Sequence, residues 1–155
     1  MKIFQQALDR EFARARRYDT PLSVAIFDID DFKMINDTYG HQFGDKVLAE
    51  IARTIKNSLR RTDYVTRYGG EKEFIVILPE TDLDRTAIPI ERLRKKVEQA
   101  EFKYEDIIVR VTISIGIASL TPSVKNEQDI INRADTALYV AKNNGKNRVE
   151  FYFEN

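Results

Sequence analysis

Two sets of acidic residues in this sequence are spaced for chemistry. Asp28, Asp30 and Asp31 follow directly on an apolar run, and Glu71 and Glu73 flank Lys72 just after Gly69-Gly70. A carboxylate at the end of a buried strand is costly unless its charge is compensated. A divalent cation shared between Asp28 and a hairpin glutamate would compensate it. Oxygen-only ligands of this kind suit Mg²⁺ or Mn²⁺ holding substrate phosphates. The plainer alternative for Asp28 is a cap on the short helix that follows. Asp28 alone favours the cap; Asp28, Asp30, Glu71 and Glu73 converging in one fold favour the metal.

The elements that must position these groups are legible in the hydrophobic period. Phe4, Leu8, Phe12 and Ala15 form a helical stripe over 2–18, with Arg10, Arg14 and Arg17 on a solvated face. Leu22 to Phe27 is a continuous apolar run, as in strands buried on both faces. Phe32 to Tyr39 reads as a short helix, and Gly44-Asp45 opens a longer one through Val47, Leu48, Ile51, Ile55 and Leu59. Paired glycines between a half-apolar run and the β-prone run Phe74–Leu78 predict a hairpin over about 63–79. Helical period returns over 83–101 and 127–143, the latter stopped by Asn144-Gly145. Alternation over 107–118 predicts one half-buried strand, with Arg110, Thr112 and Ser114 on its polar face. Val149, Phe151 and Phe153 predict a last strand.

This order contains β-α-β-β-α-β, the ferredoxin-like, split β-α-β arrangement. The expected fold class is therefore α+β, with helices around a central, mostly antiparallel sheet. The end of the first strand then lies beside the hairpin, which brings Asp28 to the hairpin acids. The length of 155 residues suits a single domain. Twenty-five basic and 25 acidic side chains leave no net charge, against polymeric nucleic acid as a partner. The absence of cysteine excludes disulfides, zinc-thiolate sites and thiol nucleophiles. No apolar run approaches membrane-spanning length, so membrane contact is not expected from this segment and a cytoplasmic location is.

Several segments together resemble one family. They are Phe27 to His41 (FDIDDFKMINDTYGH), Gly44-Asp45, Arg67 to Glu71 (RYGGE), Val111 to Gly116 (VTISIG) and Ala134 to Tyr139 leading to Lys142. In this order, over nearly the whole chain, they are similar to the GGDEF domains, the diguanylate cyclases, whose cores resemble adenylyl cyclases and polymerase palms. The resemblance implies an enzyme that condenses two GTP into cyclic di-GMP and releases pyrophosphate, working as a homodimer. It implies Asp28, the Ile29 carbonyl and Glu71 as the metal site, with Asp28 and Glu71 catalytic. It implies Asn36 and Asp45 as the guanine-reading pair, and Lys142 and Lys146 as triphosphate contacts. Backbone N–H groups of Asp31, Phe32 and Lys33 would cradle phosphates. Arg60 and Asp63 resemble the family's inhibitory site, where the product cyclic di-GMP binds away from the active centre.

The sequence departs from the family pattern in two places. The signature hairpin has one residue more than Gly-Gly-Asp/Glu-Glu-Phe. Anchored on Asp63 and Arg67, Glu71 is the metal acid and Lys72 is inserted. Anchored on Phe74, Glu73 keeps its place and Lys72 stands where the metal acid belongs. A one-residue slip turns strand side chains to the opposite face, and a bulge can absorb it. The roles of Lys72, Glu73 and Asp30 therefore stay open at the level of sequence. The chain also begins after the turn that usually precedes the family's first helix, so a sensor or dimerising segment is expected to be lacking. Two alternatives stand beside the active cyclase: a degenerate module that binds GTP or cyclic di-GMP without turnover, and an unrelated ferredoxin-like sensing domain.

Overall fold

Apolar residues at period two and period 3.6 sort this chain into a five-stranded sheet with helices on both faces. The computed structural model describes residues 2–70 and 72–154. The first half comprises α1 (Lys2–Tyr18), β1 (Leu22–Ile29), α2 (Phe32–Tyr39), α3 (His41–Ser58), β2 (Tyr64–Arg67) and β3 (Glu73–Pro79). The second comprises α4 (Leu83–Gln99), β4 (Phe102–Tyr104), β5 (Ile107–Val109), β6 (Ile113–Ser119), α5 (Glu127–Asn143) and β7 (Val149–Phe151). The sheet order is β2-β3-β1-β6-β7, antiparallel except for the β6–β7 pair. This is the expected α+β, split β-α-β topology, extended by a parallel edge strand.

β1 sits at the centre because it can be buried on both faces; every residue from Leu22 to Ile29 is buried. Ala25, Phe27 and Ile29 join Phe74, Val76 and Leu78 under α3 and α4. Val24 and Ile26 join Ile75 and Ile77 under α1 and α5. Burying each such Ile, Leu or Phe is worth about 1.5–3 kcal/mol, so the two clusters hold β1 in register from both sides.

The sequence reading needs four corrections. The strand expected over 107–118 is two elements: β5 pairs with β4 in a separate two-stranded sheet, and only β6 enters the main sheet. β6 is buried on both faces, Ser114 and Gly116 included, so its polar alternation does not mark solvent. Gly116 lies hard against α5, where an added Cβ would come 2.2 Å from Leu138 N and 2.3 Å from Ala134 O. The longer of the first two helices after β1 begins at His41, not at Gly44. The last strand ends at Phe151, and Phe153 is exposed beyond it.

The strands of the hairpin keep an unbroken register up to the turn. β3 pairs with β1 without a break from Leu22↔Pro79 to Asp28↔Glu73, and with β2 from Tyr64↔Ile77 to Arg67↔Phe74. The turn is closed by the bond from Tyr68 N–H to the Glu73 carbonyl, 3.0 Å. Gly69 takes a left-handed φ of 65°, which glycine adopts without steric cost. No helix among the described residues is long and apolar enough to cross a membrane.

Candidate functional site

The C-terminal end of β1 delivers Asp28 and Asp30 into different surroundings. Asp30 is almost fully buried and saturated with donors. Its Oδ1 accepts from Ser114 Oγ and Lys142 Nζ, both at 2.7 Å. Its Oδ2 accepts from Thr112 Oγ1 at 2.7 Å and the Asn147 N–H at 3.0 Å. Burial opposes ionisation, but the bonds from Lys142, Ser114 and Thr112 outweigh it and hold the carboxyl below the usual range. Asp30 therefore works as an anchor that fixes Lys142 and the loop after α5. No lone-pair direction is left for a cation.

Asp28 is buried as well, yet its Oδ1 has no hydrogen-bond partner among the described residues. Its Oδ2 faces Lys142 Nζ at 3.1 Å and Lys72 Nζ at 4.0 Å. Burial pushes this carboxyl above the usual range, against the pull of Lys142 and Lys72. A buried acceptor without a donor is an unusual expense in a folded chain. It does not cap α2: the cap residue is Asp31, in a left-handed conformation and making no side-chain capping bond.

Around Asp28 opens a cleft of about 590 Å³, lined by Asp31, Phe32, Lys33, Met34, Asp37, Lys72, Lys142 and Lys146. Lys146 Nζ meets Asp31 Oδ1 at 2.6 Å. It reaches there because Lys146 and Asn147 both take left-handed φ, 63° and 47°, just after α5. The same turn aims the Asn147 N–H at Asp30. The structure thus gathers Asp28, Asp31, Phe32, Lys33, Lys142 and Lys146 in one place.

Asn36 and Asp45 lie on α2 and the first turns of α3, which pack together. Asn36 Oδ1 is the second buried side-chain atom without a partner among the described residues. It rests against Gly44, where an added Cβ would come to 1.7 Å. Asp45 is exposed beside it. Arg60 and Asp63 are joined to each other away from this cleft. Arg60 donates to Asp63 Oδ1 at 3.1 Å, the Pro79 carbonyl at 2.9 Å and Thr81 Oγ1 at 2.7 Å.

The hairpin acids do not both reach Asp28. Glu71 falls outside the described residues. Glu73 pairs with Asp28 in register, but its carboxylate folds back to accept the Gly70 N–H at 3.2 Å. There it helps raise the pKa of Asp135, mainly a consequence of burial, and of Tyr68. Lys72 instead turns toward Asp28, while its carbonyl accepts the Ile29 N–H at 3.2 Å. Thr112, Ser114 and Asn147 were not among the site residues read from sequence. Thr112 and Ser114 stand out in the sequence only as polar-face positions of the expected half-buried strand over 107–118.

The match with known proteins follows the same pattern. The family model for the diguanylate cyclase GGDEF domain matches residues 1–148. The chain belongs to the GGDEF family. Diguanylate cyclase A of Treponema denticola is 48% identical over 128 residues, covering 83% of this chain and 34% of that protein. Diguanylate cyclase DosC of Escherichia coli is 44% identical over 146 residues, covering 92% of this chain and 31% of its own length. The chain thus spans about a third of these curated relatives. The GGDEF domain of DgcB from Caulobacter crescentus, solved with c-di-GMP, superposes with a TM-score of 0.92 at 35% identity, covering 97% and 89% of the two chains. The active GGEEF domain of a Vibrio cholerae diguanylate cyclase superposes at 0.89 and 34%, covering 96% and 93%. An unrelated ferredoxin-like sensing domain is thereby excluded.

Proposed function

We propose that this GGDEF domain is a diguanylate cyclase, condensing two GTP into cyclic di-GMP with release of two pyrophosphates. The observation that carries the reading is Asp28, which lines a lysine-rich cleft and whose buried Oδ1 has no partner among the described residues. Phosphoryl transfer asks a protein mainly for positioning and charge stabilisation, and this cleft supplies both. Lys142 and Lys146 hold the triphosphate: Lys146 exchanges its bond to Asp31 for phosphate oxygens, and Lys142, held in place by Asp30, turns its remaining N–H toward them. Backbone N–H groups of Asp31, Phe32 and Lys33 cradle it at the start of α2. Asn36 and Asp45 read the guanine edge; a carboxylate accepts from N1–H and the exocyclic amine together, which adenine does not offer. The 3′-oxygen of each GTP attacks the α-phosphorus of the other, the α–β bridging bond breaks, and pyrophosphate leaves.

A divalent cation fits the Asp28 side of this site. Asp28 Oδ1, the Ile29 carbonyl and Glu71 would hold Mg²⁺ or Mn²⁺, which would supply charge neutralisation at the α-phosphate. Two copies must face each other, each holding one GTP, so the working species is a homodimer. Arg60 and Asp63 form the inhibitory product site, where cyclic di-GMP displaces the bonds from Arg60 to Pro79 and Thr81. The site is expected to face the cytoplasm, where GTP is found.

Incubation with GTP and Mg²⁺, followed by chromatography, tests the reading. Cyclic di-GMP should appear with two pyrophosphates per molecule, and ATP should give no cyclic product. GTP consumed without cyclic dinucleotide would overturn it. A second reading, GTP held without turnover, draws its support from Lys72 beside Asp28, and the same assay separates the two.

A further inference from the structure

Lys72 stands where a chain with one hairpin residue fewer would carry an acid. The strand register from Phe74 onward is continuous, so the slip is fixed by the β1 pairing and by the Ile29–Lys72 backbone bond. The Lys72 ammonium faces Asp28 at 4.0 Å, and its side chain is 42% exposed into the cleft. Among the described residues, the cleft lining carries four lysines against three aspartates. A carboxylate in place of Lys72 would reverse that balance, and a triphosphate would then need a bound cation before it could enter. With lysine there, the lining is already cationic.

We propose that Lys72 is a phosphate-binding residue: its ammonium does at Asp28 part of what a divalent cation does, so that this chain holds a nucleoside triphosphate without one. Lys72 is close enough to balance Asp28 and, at 4.0 Å, not locked to it, so the ammonium is free to turn to a phosphate oxygen. Lys142 on the other side of Asp28 is fixed by Asp30, which leaves Lys72 as the movable one of the pair. Binding and chemistry then separate, the first carried by lysines and the second by the cation at Asp28 Oδ1. This inference rests on the nucleotide-site reading above.

The test uses α,β-methylene-GTP, which cannot release pyrophosphate, titrated calorimetrically in EDTA and in Mg²⁺. The unaltered chain should bind in both, with constants within about threefold. Lys72→Met should weaken binding about tenfold in EDTA, the loss of one charge-assisted contact, and less in Mg²⁺. Lys72→Glu should bind only when Mg²⁺ is present. Lys72 is a half-exposed turn residue outside both core clusters, so neither substitution disturbs a core. Wild-type binding that vanishes in EDTA, or Lys72→Met binding unchanged there, would overturn the assignment. Cyclic di-GMP formation is read in parallel. Binding in EDTA without product in Mg²⁺ removes the cyclase and keeps Lys72; product without binding in EDTA does the reverse. No binding in either buffer removes both.

Discussion

Asp28 and Asp30 stand two residues apart with the same charge and opposite surroundings. Asp30 has four donors and a depressed pKa; Asp28 has one oxygen without a partner among the described residues and a raised pKa. A raised carboxyl pKa means that the ionised form is disfavoured in the folded chain, so at neutral pH its charge costs stability. Asp28→Asn keeps the shape and removes the charge, while Asp30 still holds Lys142. The variant should lose at least about a hundredfold in cyclic di-GMP formation, the scale of removing one charge-stabilising group, and should unfold at a higher urea concentration. Loss of stability together with activity would show that Asp28 is structural. Sequence alone could find Asp28, because an acid ending an apolar run is conspicuous. It could not divide the roles of Asp28 and Asp30, because that depends on Thr112 and Ser114, just before and within a strand more than eighty residues away. The turn that places Asn147 was equally hidden: nothing in Gly145-Lys146-Asn147 announces two left-handed residues in succession after the glycine.

At the level of elements, the β6–α5 contact sets how closely Lys142 approaches the aspartates. Ala134, Ala137 and Ala141 face the sheet from α5, and Gly116 receives the backbone of Ala134 and Leu138. Gly116→Ala meets backbone atoms that cannot rotate away, and should cost about 3 kcal/mol in urea unfolding. A change below half of that would mean that α5 slides freely. The C-terminal segment is tied to the start of α5 differently. Glu154 accepts from Thr121, Ser123 and Arg133, and these bonds lower its pKa to about 2. A depressed carboxyl contributes above its unfolded value of 4.5 and ceases to as pH falls toward 2. In an NMR titration, the Glu154 carboxyl should therefore titrate near 2, with the Tyr152 ring signals moving in step because Arg133 lies over that ring, 5.2 Å from its centroid. A midpoint near 4.5 would show no tie. The helices were readable from period and caps, and α1 and α5 keep their expected limits. The β4–β5 hairpin was not, because Ile107 to Val109 continues the alternation of β6 without a glycine or proline between them. Only pairing with Phe102–Tyr104 separates the two.

At the scale of the whole molecule, the proposed reaction joins two nucleotides, whereas the proposed site takes one. In the proposed reaction each GTP supplies a hydroxyl to its neighbour and takes one in return, which calls for two clefts meeting about a two-fold axis, with the same surface on both copies. The zero net charge offers neither long-range attraction nor repulsion between copies. Encounter is then governed by concentration. At protein concentrations below the dimer dissociation constant, the initial rate of cyclic di-GMP formation should rise with the square of protein concentration. The number of GTP bound per chain should stay constant. A dimeric parallel coiled coil fused before α1 should abolish the square law, because the partner is then present at an effective concentration near millimolar. At nanomolar protein, that fusion should raise the rate at least about a hundredfold. A rate linear in concentration for the unfused chain, with sedimentation showing a monomer, would mean that a single copy completes both bonds. The opposed-cleft geometry would then have to be abandoned, while the assignment of the GTP site in each copy would stand.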